Sequence, residues 1–291
     1  MNTTDYQYFT KLVTLRNFRD TAAYFHVTQP TISYALQRLE ADYGIKLIDR
    51  SRGKAVTVTE AGMRLNDHAL RIIREERLAQ KDLDDLQTEK IRLGLPPIIG
   101  NAYFSALTQP LKKAHLLSQL DLVEAGSQEV LAQLKAGDID IALLGSAEPL
   151  VDPQLVTLPI VKKPFNIVVG PENPLADQKS VAFFELQDQA FVMFNSEFVH
   201  REVFEMLCAV SETNPTVIQQ TSDLSILKQM IKADIGISLL TEAAVSPSDN
   251  LVSLSLTDRD VPQFAISLAY RRHYRLTGDQ QAFIDLTQQL R

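Results

Sequence analysis

The sequence predicts an α/β protein with an all-α winged helix-turn-helix over residues 1–58, a long linking helix over 59–88, and a doubly wound sheet domain over 91–291. Three observations carry this. Residues 18–59, FRDTAAYFHVTQPTISYALQRLEADYGIKLIDRSRGKAVTVT, read as a helix, a tight turn, a second helix and a basic β-wing. Residues 60–88 are a proline-free run of helix formers. From Ile91 onward, short apolar runs alternate with helical periodicity, the pattern of buried parallel strands with crossover helices.

In the first segment, Ala22 is small where two helices must approach closely. Phe25, Val27, Ile32, Leu36 and Leu39 share one helical face and supply a miniature core. Thr28 is placed to cap the second helix, Pro30 falls in its first turn, where a missing N–H costs little, and Gly44 is its expected C-cap. On a helix starting at Gln29, the outward side chains are Thr31, Ser33, Tyr34, Gln37 and Arg38. These hydrogen-bonding groups suit base edges and phosphates. Beyond Gly44, Lys46, Arg50, Arg52 and Lys54 cluster around Gly53, and Val56–Val58 alternates like a short strand. A basic hairpin tip suits phosphate or minor-groove contact. A small helical core with a solvated, charged loop is the plainer reading of the same residues.

Thr59 can cap the linking helix, and Glu60 favours its positive dipole end. Leu65, Ile72, Ala79 and Leu86 recur every seven residues. Ala69 and Leu83 adjoin them, and Glu76 is discordant. The pattern is coiled-coil-like and predicts pairing of two chains. Packing on its own chain is the alternative.

In the last two-thirds, strands are expected at 91–95, 120–123, 139–144, 156–160, 165–169, 192–194, 217–220, 237–240 and 264–270. Helices are expected at 104–117, 127–136, 199–210, 224–233 and 278–290, with Ser127 capping the second and Gly137 ending it. Doubly wound folds bind ligands at the carboxyl ends of strands, beside helix N-termini.

Composition narrows the function classes. Residues 1–58 carry eight Lys/Arg against five Asp/Glu, whereas 89–291 carry 16 against 24. A basic end on an acidic chain fits nucleic-acid binding by one domain, and so modest an excess calls for a dimer. No run of about 18 apolar residues occurs, so no transmembrane helix is predicted. The first residues lack a signal pattern and the single Cys208 suits a reducing cytoplasm, so a cytoplasmic location is expected. Cys208 sits in an apolar run without an adjacent base and reads as a buried structural thiol. The five histidines are scattered, and no phosphate loop, dinucleotide fingerprint or nucleophile elbow appears. No metal site, cofactor or catalytic set is therefore expected. Nothing in the sequence brings Ser146, Glu148 and His200 together.

The N-terminal stretch resembles the DNA-binding domain of the LysR-type transcriptional regulators. The matching residues are Phe18, Ala22, Phe25, Val27, Gln29, Pro30, Ser33, Arg38, Leu39, Glu40, Gly44, Leu47, Arg50 and Thr59-Glu60-Ala61-Gly62. Arg19 departs from the family's Ser or Thr, which leaves Asn17 or Asp20 to cap the first helix of the motif. A looser resemblance to the family's effector domain rests on Leu93-Gly94, LKAGDIDIAL at 134–143, Asn173-Pro174-Leu175 and Gly236–Leu240.

The resemblance implies a two-lobed, periplasmic-binding-protein-like domain. Lobe I would comprise about 91–161 and 266–291, and lobe II about 162–265. It also implies DNA contacts by Gln29, Pro30, Thr31, Ser33, Tyr34, Gln37, Arg38, Arg50 and Arg52 on a promoter or operator. Pairing through Leu65, Ile72, Ala79, Leu83 and Leu86 would give a homodimer or homotetramer. Effector contacts fall in four segments, at Ile99, Gly100 and Asn101, at Ser127, at Asn195 and Ser196, and at Thr221 and Ser222. Within the family, AAYF at 22–25 followed by QPTISYALQRLE looks most like the branch regulating malolactic fermentation, which makes an organic acid such as L-malate the candidate effector. Two other classes compete: an effector-sensing protein that acts through protein partners without DNA, and an enzyme on a two-lobed scaffold resembling prephenate dehydratase.

Overall fold

The structure, a computed structural model, describes residues 2–49, 56–85 and 90–290, and falls into two compact units, 1–87 and 88–291. The first unit holds α1 (Thr3–Leu15), α2 (Phe18–Tyr24), α3 (Gln29–Tyr43), the antiparallel pair β1 (Ile48–Asp49) and β2 (Thr57–Val58), and α4 (Glu60–Asp85). Asn17, not Asp20, caps α2: its side chain accepts from the backbone N–H of Arg19 and Asp20 at 2.9 and 3.3 Å. Thr28 occupies the N-cap position of α3 but makes no cap bond. Its hydroxyl lies 3.0 Å from that of Thr31 instead. Gly44 ends α3 at φ 65°, a left-handed conformation that glycine adopts without strain.

Ala22, Ile32, Leu36 and Leu39 are buried with Tyr6, Phe9 and Leu12 of α1 and Leu65 and Ala69 of α4, while Phe25 and Val27 pack on the edge of this core. Each large apolar side chain buried in this way contributes roughly 1.5–3 kcal/mol. Beside the core, the buried carboxylate of Glu40 accepts from Lys46 Nζ at 2.7 Å and from the backbone N–H of Leu47 and Ile48 at 3.0 and 3.4 Å. Burial alone would raise its pKa. The hydrogen bonds from Lys46, Leu47 and Ile48 outweigh burial and hold it below the usual carboxylate range. Thr59 completes the joint. Its hydroxyl donates to the carbonyls of Lys46 and Leu47 and caps α4 by accepting from Gly62 N.

The second unit is two-lobed. In lobe I, parallel β3 (Ile91–Gly94) lies between β4 (Leu120–Val123) and β5 (Ile141–Ser146), and β5 continues to antiparallel β12 (Gln263–Arg271). A turn of helix α5 (Pro97–Ile99) follows β3 and runs through a π turn at Gly100–Phe104 into α6 (Ser105–Lys113). Helices α7 (Ser127–Ala136) and α10 (Gly278–Thr287) complete the lobe.

The two strands expected at 156–160 and 165–169 are one, β6 (Leu155–Val169). It pairs with β12 in lobe I and then crosses to pair with β10 (Ser238–Thr241) and β11 (Val252–Leu256) in lobe II. Pro159 and Pro164 lie within it and cannot donate to its ladders. The strand absorbs them with a register shift at Ile266/Ser267 of its partner. Lobe II adds β7 (Ser180–Val181), the parallel pair β8 (Ala190–Phe194) and β9 (Thr216–Thr221), and helices α8 (Val199–Ser211) and α9 (Leu224–Lys232). No helix among the described residues is long and apolar enough to cross a membrane.

Candidate functional site

The first candidate surface is the outer side of α3. Ile32, Ala35, Leu36 and Leu39 take its inward face, so helical geometry turns the intervening residues out. Gln29, Pro30, Tyr34, Gln37 and Arg38 are exposed, Tyr34 by 61%, while Thr31 and Ser33 are half-buried. Arg38 has a second duty. Its Nε and Nη2 donate to Asp5 of α1 at 2.9 and 2.5 Å, and Asp5 is buried. Arg50 and Arg52, expected in the wing, lie outside the described residues, as does Leu86 of the expected pairing seam.

Along α4 the sequence expectation needs one correction. Leu65 belongs to the core of its own chain, packed with residues of α1 and α3. It is therefore not available to a partner. Ile72, Ala79 and Leu83 are exposed, Leu83 by 60%. Seven-residue spacing located a stripe, but its first member lies where α4 still packs on α1 and α3, so it points inward.

The second candidate is the interlobe cleft of the 88–291 unit, where the four segments named from sequence converge. Each follows the carboxyl end of a parallel strand: β3, β4, β8 or β9. Ile98 reaches into lobe II and shares a buried cluster with Phe194, Phe198, Leu240 and Ala244. A Cβ added at Gly126 would lie 3.1 Å from the carbonyl oxygen of Glu197, a tight contact, so the two backbones approach closely here. Asn195 N donates to Thr221 O at 3.2 Å, which sets the third and fourth segments side by side.

The individual side chains differ from expectation. Ile99 is fully buried, so it can offer a ligand only its backbone. Asn101 and Ser196 are exposed, and Gly100 is half-buried in the π turn. Ser127 does not cap α7. Gly126 takes the cap position, and the Ser127 hydroxyl accepts from Gly145 N at 3.1 Å. At the start of α9, Thr221 accepts from Asp223 N, and the Asp223 carboxylate accepts from the N–H of Ser225 and Ile226 at 2.7 and 3.1 Å. An anion thus already occupies that helix end, which removes the anion seat expected at Thr221 and Ser222. The starts of α7 and α8 carry no side-chain cap, and the Gly126–Glu197 approach brings them together.

Beside this junction lies a cavity of about 400 Å³, lined by the first turn of α7, the end of β5 with the loop to Val151, and the inner face of α8. Of the effector contacts expected from the four segments, Ser127 is the one on its wall. Leu131, Leu144, Leu150, Val203 and Met206 are apolar walls, and Glu148 and Glu202 bring carboxylates. Sequence reasoning missed these α8 residues. Their signal was the apolar spacing Val199, Val203, Met206, which read as ordinary core.

No catalytic arrangement joins Ser146, Glu148 and His200. Ser146 donates to the Glu148 carbonyl. His200 is buried against Phe165, Phe194 and Phe264, and its Nε2 accepts from Thr241 N at 3.3 Å. Burial pushes its pKa down to about 3, so it is neutral at physiological pH. Cys208 is half-buried, and burial pushes its thiol up, away from the reactive thiolate. No group of three His, Cys, Asp or Glu side chains among the described residues could hold a metal ion.

Residues 3–63 match the model of the bacterial regulatory helix-turn-helix protein, lysR family, and residues 84–291 match the LysR substrate binding domain. The malolactic fermentation system transcriptional activator of Lactococcus lactis subsp. lactis (strain IL1403) is 29% identical over 100% of this chain and 99% of its own length. A full-length, singly substituted OxyR from Pseudomonas aeruginosa superposes with a TM-score of 0.56 at 21% identity, over 100% of this chain and 94% of that one. The effector binding domain of QuiR in complex with shikimate gives a TM-score of 0.60 at 20% identity, over 69% of this chain and 95% of the domain.

Proposed function

The chain belongs to the LysR family of bacterial helix-turn-helix regulators, and from that premise we propose how its parts divide the work. It is a transcriptional regulator with an effector-binding domain, and its relatives are regulators rather than enzymes. In our reading, residues 1–58 bind DNA, 59–88 pair two chains and 91–291 sense the effector. Gln29, Pro30, Thr31, Ser33, Tyr34, Gln37 and Arg38 read or grip the major groove, and Arg50 and Arg52 hold the wing on the phosphate backbone. Ile72, Ala79 and Leu83 pair two α4 helices, setting two α3 helices on one palindromic cytoplasmic DNA site. Two such dimers form the working tetramer.

The observation that carries the DNA reading is the outer face of α3. Exposed Gln29, Tyr34 and Gln37 stand in a row over a fully packed inner face, and no partner within the unit buries them. What these side chains add is hydrogen-bonding capacity suited to base edges and phosphates. The match of residues 3–63 to the lysR-family helix-turn-helix disfavours the alternative that acts through proteins alone.

The effector is a small organic acid held at the interlobe cleft, by Gly100 and Asn101, Ser127, and Asn195 and Ser196. The malolactic relative makes L-malate one candidate. The shikimate carried by the QuiR domain is also a carboxylic acid. Two uncapped helix starts meeting at Gly126 and Glu197 support an anion there. Binding changes the output only if the acid favours one arrangement of the four subunits.

Footprinting on the regulator's own upstream DNA, with and without a panel of small organic acids, tests the reading. A two-fold-symmetric footprint that shortens or shifts with the acid is expected. A footprint lost in Ser33→Ala and Arg38→Ala at unchanged fold assigns the contact to α3. A footprint indifferent to every acid tried contradicts the switching mechanism.

A further inference from the structure

From the cavity between α7 and α8 we infer that the effector is a zwitterionic amino acid with an apolar side chain, not a dicarboxylate. The inference rests on the acid-effector reading above, shares Ser127 with it, and replaces L-malate as the candidate ligand. The cavity, about 400 Å³, lies in the range that small-molecule sites occupy. Three parts of its wall make three separate demands.

The first part is apolar. Leu131 of α7, Leu144 of β5, Leu150 of the following loop, and Val203 and Met206 of α8 surround most of the space. A ligand made only of carboxylates and hydroxyls, such as malate, would leave these surfaces wet or desolvate its own polar groups against them. A branched or aromatic hydrocarbon fits them.

The second part is acidic. Glu148 and Glu202 line the cavity, and among the described residues no Lys, Arg or His does. A second carboxylate on the ligand would face like charge with no counter-ion, whereas an ammonium would be attracted and hydrogen-bonded. Glu202 stands in the first turn of α8, and Glu148 stands across the cavity on the loop after β5.

The third part is the seat for one anion. Ser127 and Gln128, the first residues of α7, and Val199, the first of α8, all line the cavity, and neither helix has a side-chain cap. One carboxylate there would take the backbone N–H groups that the helices leave free. Carboxylate, ammonium and apolar side chain on adjacent atoms describe an α-amino acid.

The test is calorimetric titration of the full-length protein with four probes: L-leucine, 4-methylpentanoate (its deaminated analogue), 3-methylbutylamine (its decarboxylated analogue) and L-malate. The inference expects L-leucine to bind at least tenfold more tightly than each of the others. In Glu202→Gln, an exposed position whose change spares the fold, L-leucine should lose about tenfold while 4-methylpentanoate gains. Met206→Trp, which fills the cavity, should abolish L-leucine binding at an unchanged melting temperature. Tighter binding of L-malate or 4-methylpentanoate than of L-leucine overturns the zwitterion while leaving an acid effector in place. Absence of binding by all four overturns the inference and removes the cavity from the effector reading as well.

Discussion

Arg38 of α3 and Asp5 of α1 form a two-point ion pair, Nε to Oδ2 at 2.9 Å and Nη2 to Oδ1 at 2.5 Å, with the carboxylate buried and the guanidinium largely exposed. Arg38 thus faces two ways. It anchors α3 to the N-terminal helix and still presents an edge to solvent. The contact of this fork with its carboxylate fixes the side chain's direction before any DNA arrives, and that lowers the entropic cost of a phosphate or base contact.

Asp5→Asn keeps the shape and removes the charge. The mutant should lose about 1 kcal/mol of stability, since the exposed guanidinium is partly screened. Its operator affinity should fall severalfold, because Arg38 is no longer held. Chemical denaturation and a mobility-shift titration check the two effects separately. Unchanged affinity in Asp5→Asn means that Arg38 acts without its anchor.

Glu40 predicts an acid-sensitive joint between α3 and the wing. Its pKa is depressed in the folded state, so its contribution is present above the unfolded carboxylate pKa and is lost as pH falls through the lower folded value. Glu40→Gln should cost roughly 1.5–3 kcal/mol at neutral pH, because three donors lose a charged acceptor. The penalty should shrink as pH drops below about 4. Melting temperatures of both proteins from pH 7 to pH 3 decide it, and parallel curves would contradict this role.

His200 contributes with the same sign over a higher pH window. Its folded pKa, about 3, is below that of an unfolded histidine, so the unfolded chain binds more protons between about pH 3 and pH 6.5. The native state therefore loses stability on acidification through that window, by up to about 1.4 kcal/mol per pH unit. A His200→Gln variant should show a shallower pH dependence there. Equal slopes in a denaturation series would mean that the imidazole is hydrated.

On α4 the exposed and buried apolar residues separate assembly from folding. Leu83→Asp should stay folded and lose the α4 pairing, seen by light scattering as a tetramer falling to half its mass or less. Leu65→Asp should unfold the N-terminal unit, because it places an unpaired charge in the core beside Phe9 and Leu39. A Leu83→Asp protein that keeps its native mass would place the pairing surface elsewhere.

The sequence made local features legible and tertiary exchanges illegible. The starts and stops of α2, α3 and α4 follow from Asn17, Gly44 and Thr59, whose capping geometry depends on a few neighbouring residues. The four cleft segments were readable because strand ends precede helix starts in any doubly wound sheet. Ser127 was read as a cap from its position, but its hydroxyl answers to Gly145 N, 18 residues away in sequence. Strand β11 escaped notice because VSLSL is short and carries two serines in five residues, and its partners β6 and β7 are distant in sequence. The Val203 and Met206 wall of the cavity uses the same spacing as an ordinary core face. Only the placement of α8 opposite Leu131 and Leu144 shows that the space between them is open.

Capture of genomic DNA fragments by the purified full-length protein at physiological salt, followed by sequencing, tests the central claim most directly. The account predicts enrichment of a few sites sharing a two-fold-symmetric motif, one near the regulator's own gene, and loss of that enrichment in a Tyr34→Ala, Gln37→Ala double variant that still folds. Enrichment of no sequence by the wild-type protein, with or without candidate effectors, would contradict the assignment of α3 to the major groove.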